Sequence, residues 1–459
     1  MRPHPLTLNH RTISLLLTAV ILTGTLLRYY NFEQRLSFDY DNEFFAWEAK
    51  KLVIDKKLTL IGQESSVKGI FIGPLYTYIS SFFYFVWDMD PIAGGITAIF
   101  FGIMATFGLF FIGTKLISPG WGVIIAGTYQ FFAFTINWDL GGSALNGMFL
   151  IPAVWFYTLI NIDKPLFTII NFLAIGMGFH FHPTALIMLI TSILSVASNI
   201  TSIKPRTMLF AGLAFITQIS PLIIFDSRHK FIILKSVISP VINVSNYKSK
   251  INTVHVFTDS VSKWLGLNET LPSPLITVTL TSVYLVAYVK SQNPLHQKAF
   301  KSFFLTLLIT LISLLIYPNH VTDYYPMVIY APSMIIFCLT LFTIFRPNLT
   351  ILGLVISSLL VVNLHSWSRT TKSHNLKAKK QIVEWIIKNA GDRKFTISDS
   401  LIEKGYNTGF NYLLWHKKAQ IDNKRPELIY SIVIPPDYLD TTPIFQSGDI
   451  GVVVDKIAE

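Results

Sequence analysis

A single cysteine, Cys338, occurs in the whole chain, inside an apolar run, so neither a disulfide framework nor a cysteine-based metal site is available. Charge is also scarce. Asp, Glu, Lys and Arg make up 14% of the 459 residues, against about a quarter in a soluble domain, and this excludes an ordinary water-soluble enzyme. Acidic side chains are the scarcer sign, 26 against 37 Lys and Arg, leaving a net charge of +11. The basic residues lie in loops and in the C-terminal stretch, with no aromatic-interleaved stripe. The excess therefore fits cytoplasmic loops and anionic lipid headgroups rather than nucleic acid. No internal repeat or low-complexity segment is evident.

Apolar residues are abundant: 51% of the chain is hydrophobic and 14% aromatic, with a mean hydropathy of +0.50. Runs able to cross roughly 30 Å of hydrocarbon recur from Ile13 to Ser366. The pattern predicts an all-α polytopic membrane bundle of about 11–13 transmembrane helices. Its first run, Ile13 to Leu27, follows Arg2, His10 and Arg11 and lacks a small-residue cleavage site. It reads as an uncleaved signal anchor with a cytoplasmic amino end. Polar insertions at 29–69 and 226–273 interrupt the spans, and Leu166 to Ala197 is long enough for one helix or two. Positive charge at Lys204-Pro205-Arg206 and Lys290 to Lys301 marks cytoplasmic loops, which places both insertions and the tail outside. Residues 1–367 then form the membrane domain. Residues 368–459 form a small extracytoplasmic α/β domain, with a helix over Leu376 to Asn389 and strands over Lys394 to Ser398, Leu428 to Ile434 and Asp449 to Val454.

The few acids are concentrated where they cost most. Ser37-Phe38-Asp39-Tyr40-Asp41-Asn42-Glu43 carries three carboxylates at the mouth of a membrane protein, which calls for a solvated loop, a cation site or acid/base chemistry. Asp41 or Asp39 can serve as a base toward an incoming hydroxyl or amine. Alternatively, Asp41 caps an interfacial helix running from Glu43 to Ile54. Further on, Gly69, Gly73 and Pro74 break the backbone before an aromatic helix, Leu75 to Trp87. At the second insertion Asp226, Arg228, His229 and Lys230 emerge together. Arg228 suits a phosphate and Asp226 suits orienting it or holding substrate, whereas Lys230 reads as snorkelling. His180 and His182 form an i, i+2 pair for phosphate or substrate contact or, with an Asp, for a divalent metal, or are structural; two histidines alone are a weak metal signal. His320 and Tyr325 flank Tyr324 in an external aromatic belt, and Asp139 is either cavity-lining or a helix-end residue. Acceptor triplets for glycosylation at Asn243 and Asn268 matter only in a eukaryotic secretory setting.

Three elements together carry a family resemblance: Asp41-Asn42-Glu43-Phe44-Phe45-Ala46, the Gly73-Pro74-Leu75-Tyr76 entry into a helix, and Phe225-Asp226 followed by Arg228-His229. Over roughly Leu15 to Phe345 the chain resembles the polytopic GT-C glycosyltransferases, nearest the protein mannosyltransferase and lipid A aminoarabinose transferase type. The resemblance implies transfer of a sugar from a polyprenyl-phosphate donor, with inversion, at the external face of the plasma (inner) membrane. It selects Asp41 as general base, and Glu43 or Asp39 as substitutes for the second, adjacent charge that the family places at position 42. Lys68, Arg228 and His229 become partners for the departing phosphate, and His320 or Tyr325 contacts for the donor. Asn42 stands where the family has Glu, and Ile72-Gly73-Pro74 lacks the family's His. Two rivals share the hydropathy: a transporter or flippase of lipid-linked sugars, and a receptor with the tail as sensor. Carboxylates gathered at one face of two unlike halves favour the enzyme.

Overall fold

The computed structural model describes residues 9–137, 142–242, 250–266, 271–317, 321–345, 349–369, 375–398, 409–433 and 442–456. Helix α1 (His10–Tyr29) opens on Asn9, whose side chain accepts the Thr12 amide at 2.8 Å. The short α2 (Phe32–Arg35) and α3 (Tyr40–Val53) occupy the first insertion. Next come α4 (Leu75–Val86), α5 (Ile92–Leu116), α6 (Pro119–Phe131), α7 (Ala133–Asn137), α8 (Leu150–Ile160), α9 (Pro165–Gly178), α10 (Ala185–Ser198) and α11 (Pro205–Arg228). They are followed by α12 (Ile232–Ile242), α13 (Lys250–Ser262), α14 (Ser273–Lys290), α15 (Pro294–Ile316), α16 (Tyr330–Phe345) and α17 (Leu349–Arg369).

Among the described residues seven helical stretches are long and apolar enough to cross a membrane: α1, α5, α11, α14, α15, Tyr325–Phe345 and Thr350–Arg369. Four shorter apolar helices, Leu75–Val86, Ala144–Ile160, Pro165–Gly178 and Ala185–Ser198, pack among them. The chain is an integral membrane protein. Only 6% of the apolar window of α11 is buried, so its exposed Leu209, Leu213, Ile216 and Ile223 face lipid. The 166–197 stretch is two helices, because Pro183 forbids continuous helix through the turn between them. The second insertion, expected as an open loop from Asp226 to Ser273, is largely helical: Asp226 lies within α11, and α12 and α13 follow.

Backbones approach closely where glycines face each other. A Cβ on Gly113 of α5 would lie 2.9 Å from Gly122 Cα of α6, and one on Gly122 would lie 2.5 Å from the Phe110 carbonyl oxygen. Lipid is as apolar as Leu, so such close packing is what holds membrane helices together. Gly122→Val should cost about 1–3 kcal/mol by overpacking, read as a lower thermal midpoint of the detergent-solubilised protein. An unchanged midpoint would show that α5 and α6 part without penalty.

The C-terminal region folds as α18 (Leu376–Ala390), β1 (Phe395–Ser398), α19 (Phe410–His416), β2 (Leu428–Val433), β3 (Phe445–Ser447) and β4 (Ile450–Lys456). The sheet order is β1-β2-β4-β3, with β1 and β2 parallel and the other pairs antiparallel. Asn375 caps α18 by accepting the Ala378 amide at 2.9 Å. Ile382, Val383 and Ile386 lie on its buried face at helical spacing, and Trp385 stacks on Phe445 with ring centres 5.2 Å apart. The same apolar core takes in Phe32, Leu36 and Phe38 of the first insertion, Ala46 and Ala49 of α3, and Tyr84 of α4. Trp47, expected along the membrane interface, instead packs on Tyr412 and Trp415 at 5.0 and 5.5 Å.

Candidate active site

Helix α3 starts three residues earlier than its apolar pattern suggests. Asp39, not Asp41, is its N-cap residue, and the Asp39 amide donates to Asn42 Oδ1 at 3.0 Å. Asn42 is thus the third helical residue reaching back over the cap, a position where Glu or Gln is common. That contact gives Asn42 a structural task at the start of the helix. Helical spacing then sorts the three carboxylates. Residues four apart share a face, whereas a residue midway lies roughly 200° round from each.

Asp39 and Glu43 meet the C-terminal region. Asp39 Oδ1 lies 3.2 Å from Lys379 Nζ, which also donates to the Phe38 carbonyl at 2.8 Å and is fully buried. Burial pulls the Lys379 ammonium below its ordinary pKa, with Asp39 and then Glu43 opposing. Glu43 accepts from the Gly409 amide at 2.7 Å and the Tyr412 amide at 3.1 Å. Gly409 has φ +96°, and a Cβ there would lie 2.5 Å from the Phe38 carbonyl oxygen. Asp41 is the exposed member of the three and accepts from Gln63 Nε2.

Gln63 belongs to a hairpin that the sequence showed only as a Gly and Pro break. Gly62 N to Ile72 O at 2.7 Å, Ile72 N to Gln63 O at 3.0 Å and Ser65 N to Ile70 O at 2.7 Å close it. Gly69, at φ +82°, lets it turn and lies where a Cβ would strike the Ser236 hydroxyl of α12. Ile70-Phe71-Ile72 between two glycines is the sequence signal for this strand pair. The hairpin brings several expected residues together. Ser66 and Tyr324 have hydroxyls 3.3 Å apart. Tyr324 and Tyr325 pack on the His182 ring at 5.6 and 5.9 Å. Phe71 meets Phe225 at 5.5 Å, and Phe225 stacks under His229 at 4.0 Å. Lys68 is exposed beside Gly69, and Arg228 is exposed at the end of α11.

Other residues are occupied elsewhere. Asp226 accepts the Ile233 and Leu234 amides at 2.7 and 3.3 Å, holding the start of α12. His180 Nδ1 accepts the Leu75 amide at 3.3 Å, so Nε2 carries the proton and donates to the Gln218 carbonyl at 2.8 Å. Burial lowers its pKa, and the neutral ring staples α4 to α11. His182 Nδ1 bonds Thr184 Oγ1 at 2.8 Å and accepts the Thr184 amide at 3.3 Å, which leaves the protonated Nε2 without a partner among the described residues. Burial pushes its pKa down to about 3. The unfolded chain therefore binds a proton that the folded one refuses, and stability is full above about pH 6.5 and lost as pH falls toward 3. The melting temperature of His182→Gln should fall less than that of the parent between pH 7 and 4; parallel curves would exclude this titration. His320 and Asp139, like Asn243 and Asn268, lie outside the described residues. Among the described residues no group of three His, Cys, Asp or Glu is placed to hold a metal ion.

No protein-family model and no curated protein sequence matches the chain. Solved structures match over nearly its whole length. ArnT from Cupriavidus metallidurans bound to undecaprenyl phosphate covers 97% of this chain and 98% of its own, with a TM-score of 0.60 at 7% identity. The apo state of that transferase gives 0.62 at 8% identity over 95% and 97%. The apo Archaeoglobus fulgidus oligosaccharyltransferase gives 0.53 at 10% identity, over 92% of this chain and 69% of its own. The chain has the fold of ArnT.

Within this fold the buried charge of Arg28 escaped the sequence reading. Arg28, near the end of α1, is 4% exposed. Its guanidinium donates to Gln130 Oε1 and to the Gly24, Gln130 and Thr135 carbonyls at 3.2, 3.4 and 3.5 Å, over the Tyr129 ring at 5.5 Å. It pairs with no carboxylate among the described residues. Its signal was an Arg closing an anchor helix just before Tyr29-Tyr30, which reads equally as an interfacial anchor.

Proposed function

We propose that this protein is a membrane glycosyltransferase that moves a sugar from a polyprenyl-phosphate donor to an acceptor at the extracytoplasmic face. The observation that carries this reading is the contact of exposed Asp41 with the hairpin at Gln63, which also gathers Lys68, His182, Tyr325 and His229. The Asp41 carboxylate takes the proton of the acceptor hydroxyl or amine as that atom attacks the anomeric carbon. The bond from that carbon to the phosphate oxygen breaks, its electron pair leaves with the polyprenyl phosphate, and the anomeric configuration inverts. Lys68, Arg228 and His229 supply cationic or donor groups for the departing phosphate, and neutral His182 offers its Nε2 hydrogen. Bilayer hydrocarbon accommodates the isoprenoid. The fold shared with ArnT, whose bound form holds undecaprenyl phosphate, supports the donor class. Residues 1–367 are the catalytic membrane domain and 368–459 the external domain, with a cytoplasmic amino end in the plasma membrane.

The deciding experiment incubates the purified protein with radiolabelled polyprenyl-phosphate hexoses and pentoses and a membrane extract. Label should leave the lipid for one donor of the set. If no donor is consumed and reconstituted lipid-linked sugar crosses the bilayer instead, the protein is a transporter.

A further inference from the structure

The contacts of Asp39 and Glu43 go beyond docking. Lys379 is fully buried, and a buried ammonium is costly to desolvate, so an apolar side chain would hold two surfaces together as well. Docking also has its own ionic contacts next door: Lys380 pairs with Glu33 at 2.7 Å and Asp90 at 3.0 Å, neither of them in α3. Lys379 instead grips the residue that begins α3, and Gly409 and Tyr412 grip a residue one turn later. Two holds four residues apart on one face fix the rotation of a helix about its axis. Asp41 lies between them in sequence and on another face.

We infer that the C-terminal domain sets the orientation of Asp41 toward the Gln63 hairpin, with Lys379 as a positioning residue that acts through Asp39 and with the Gly409 and Tyr412 amides acting through Glu43. The inference rests on the reading of Asp41 as the base. It gives the external domain a part in the reaction that requires no contact with substrate.

The test compares full-length Lys379→Met, Lys380→Met, Glu43→Gln and Asp41→Asn, assayed with whichever radiolabelled polyprenyl-phosphate sugar of the panel turns over fastest. Lys379→Met should lower kcat at least tenfold while the donor KM moves less than threefold. Amide hydrogen exchange over residues 40–43 should quicken at least tenfold, and Lys380→Met should stay within twofold of the parent. Equal loss in Lys380→Met overturns the inference, since docking alone then explains the effect. So does an unchanged kcat per folded molecule in Lys379→Met. Should Lys379→Met not fold, Glu43→Gln carries the test: it keeps the side-chain shape and weakens the hold on the Gly409 and Tyr412 amides along with a 3.4 Å contact from Trp47 Nε1, and an unchanged kcat there overturns the inference. Full activity in Asp41→Asn removes both the base and the inference. An inactive Asp41→Asn beside a fully active Lys379→Met removes the inference alone.

Discussion

Asp41→Asn is expected to lower sugar transfer by about 10²–10⁴-fold, the usual worth of a positioned general base. The carboxamide keeps the shape of the side chain and can still accept from Gln63, so expression, insertion and thermal midpoint should hold. An exposed substitution of this kind changes stability by about 0.5 kcal/mol or less. The loss should appear equally in kcat and kcat/KM, because proton transfer is an interaction made only in the transition state. A rise in donor KM alone would assign Asp41 to binding, and undiminished transfer would remove it from the chemistry. Asp39→Asn should behave differently. It weakens the partner of a buried ammonium and acts first on stability.

Gly409→Ala should damage the contact between the first insertion and the C-terminal region. The residue has φ +96°, and its new Cβ would lie 2.5 Å from a backbone oxygen, that of Phe38, which also accepts from Lys379. A backbone oxygen is not the movable end of a flexible side chain, and the Phe38 ring lies 2.8 Å away as well. Backbone strain and overlap together should cost about 2–4 kcal/mol, a fall in thermal midpoint on the order of 5–15 °C. Gly391→Ala is the control: φ is +58° but nothing lies within 4 Å of the added carbon, so only a backbone cost of about 1–3 kcal/mol remains. Equal midpoints for the two variants would mean that Phe38 yields freely.

Hydropathy made the membrane bundle legible because a span needs a long apolar run, and that is a local property. The C-terminal helix and three strands were legible through their periodicity. Strand β3 was not, since Phe445-Gln446-Ser447 is a short edge segment whose order comes from pairing with β4. Helices α12 and α13 were read as loop because Lys235, Ser236, Pro240 and Asp259 dilute their apolar faces. The acidic cluster was conspicuous, yet its division of labour was hidden. The i, i+4 spacing of Asp39 and Glu43 stands in the sequence, but their partners Lys379, Gly409 and Tyr412 lie more than 300 positions away. Likewise, nothing local tells His180, bonded at both ring nitrogens, from His182, bonded at one.

The bond from Lys379 to Asp39 spans 340 positions of chain. At about 5–20 residues per second of synthesis, on the order of tens of seconds separates the appearance of the carboxylate from that of its ammonium partner. Helix α3 can pack Phe45 on Tyr76 of α4, ring centres 4.7 Å apart, as soon as α4 is made, so its contacts with Lys379, Gly409 and Tyr412 are the last it acquires.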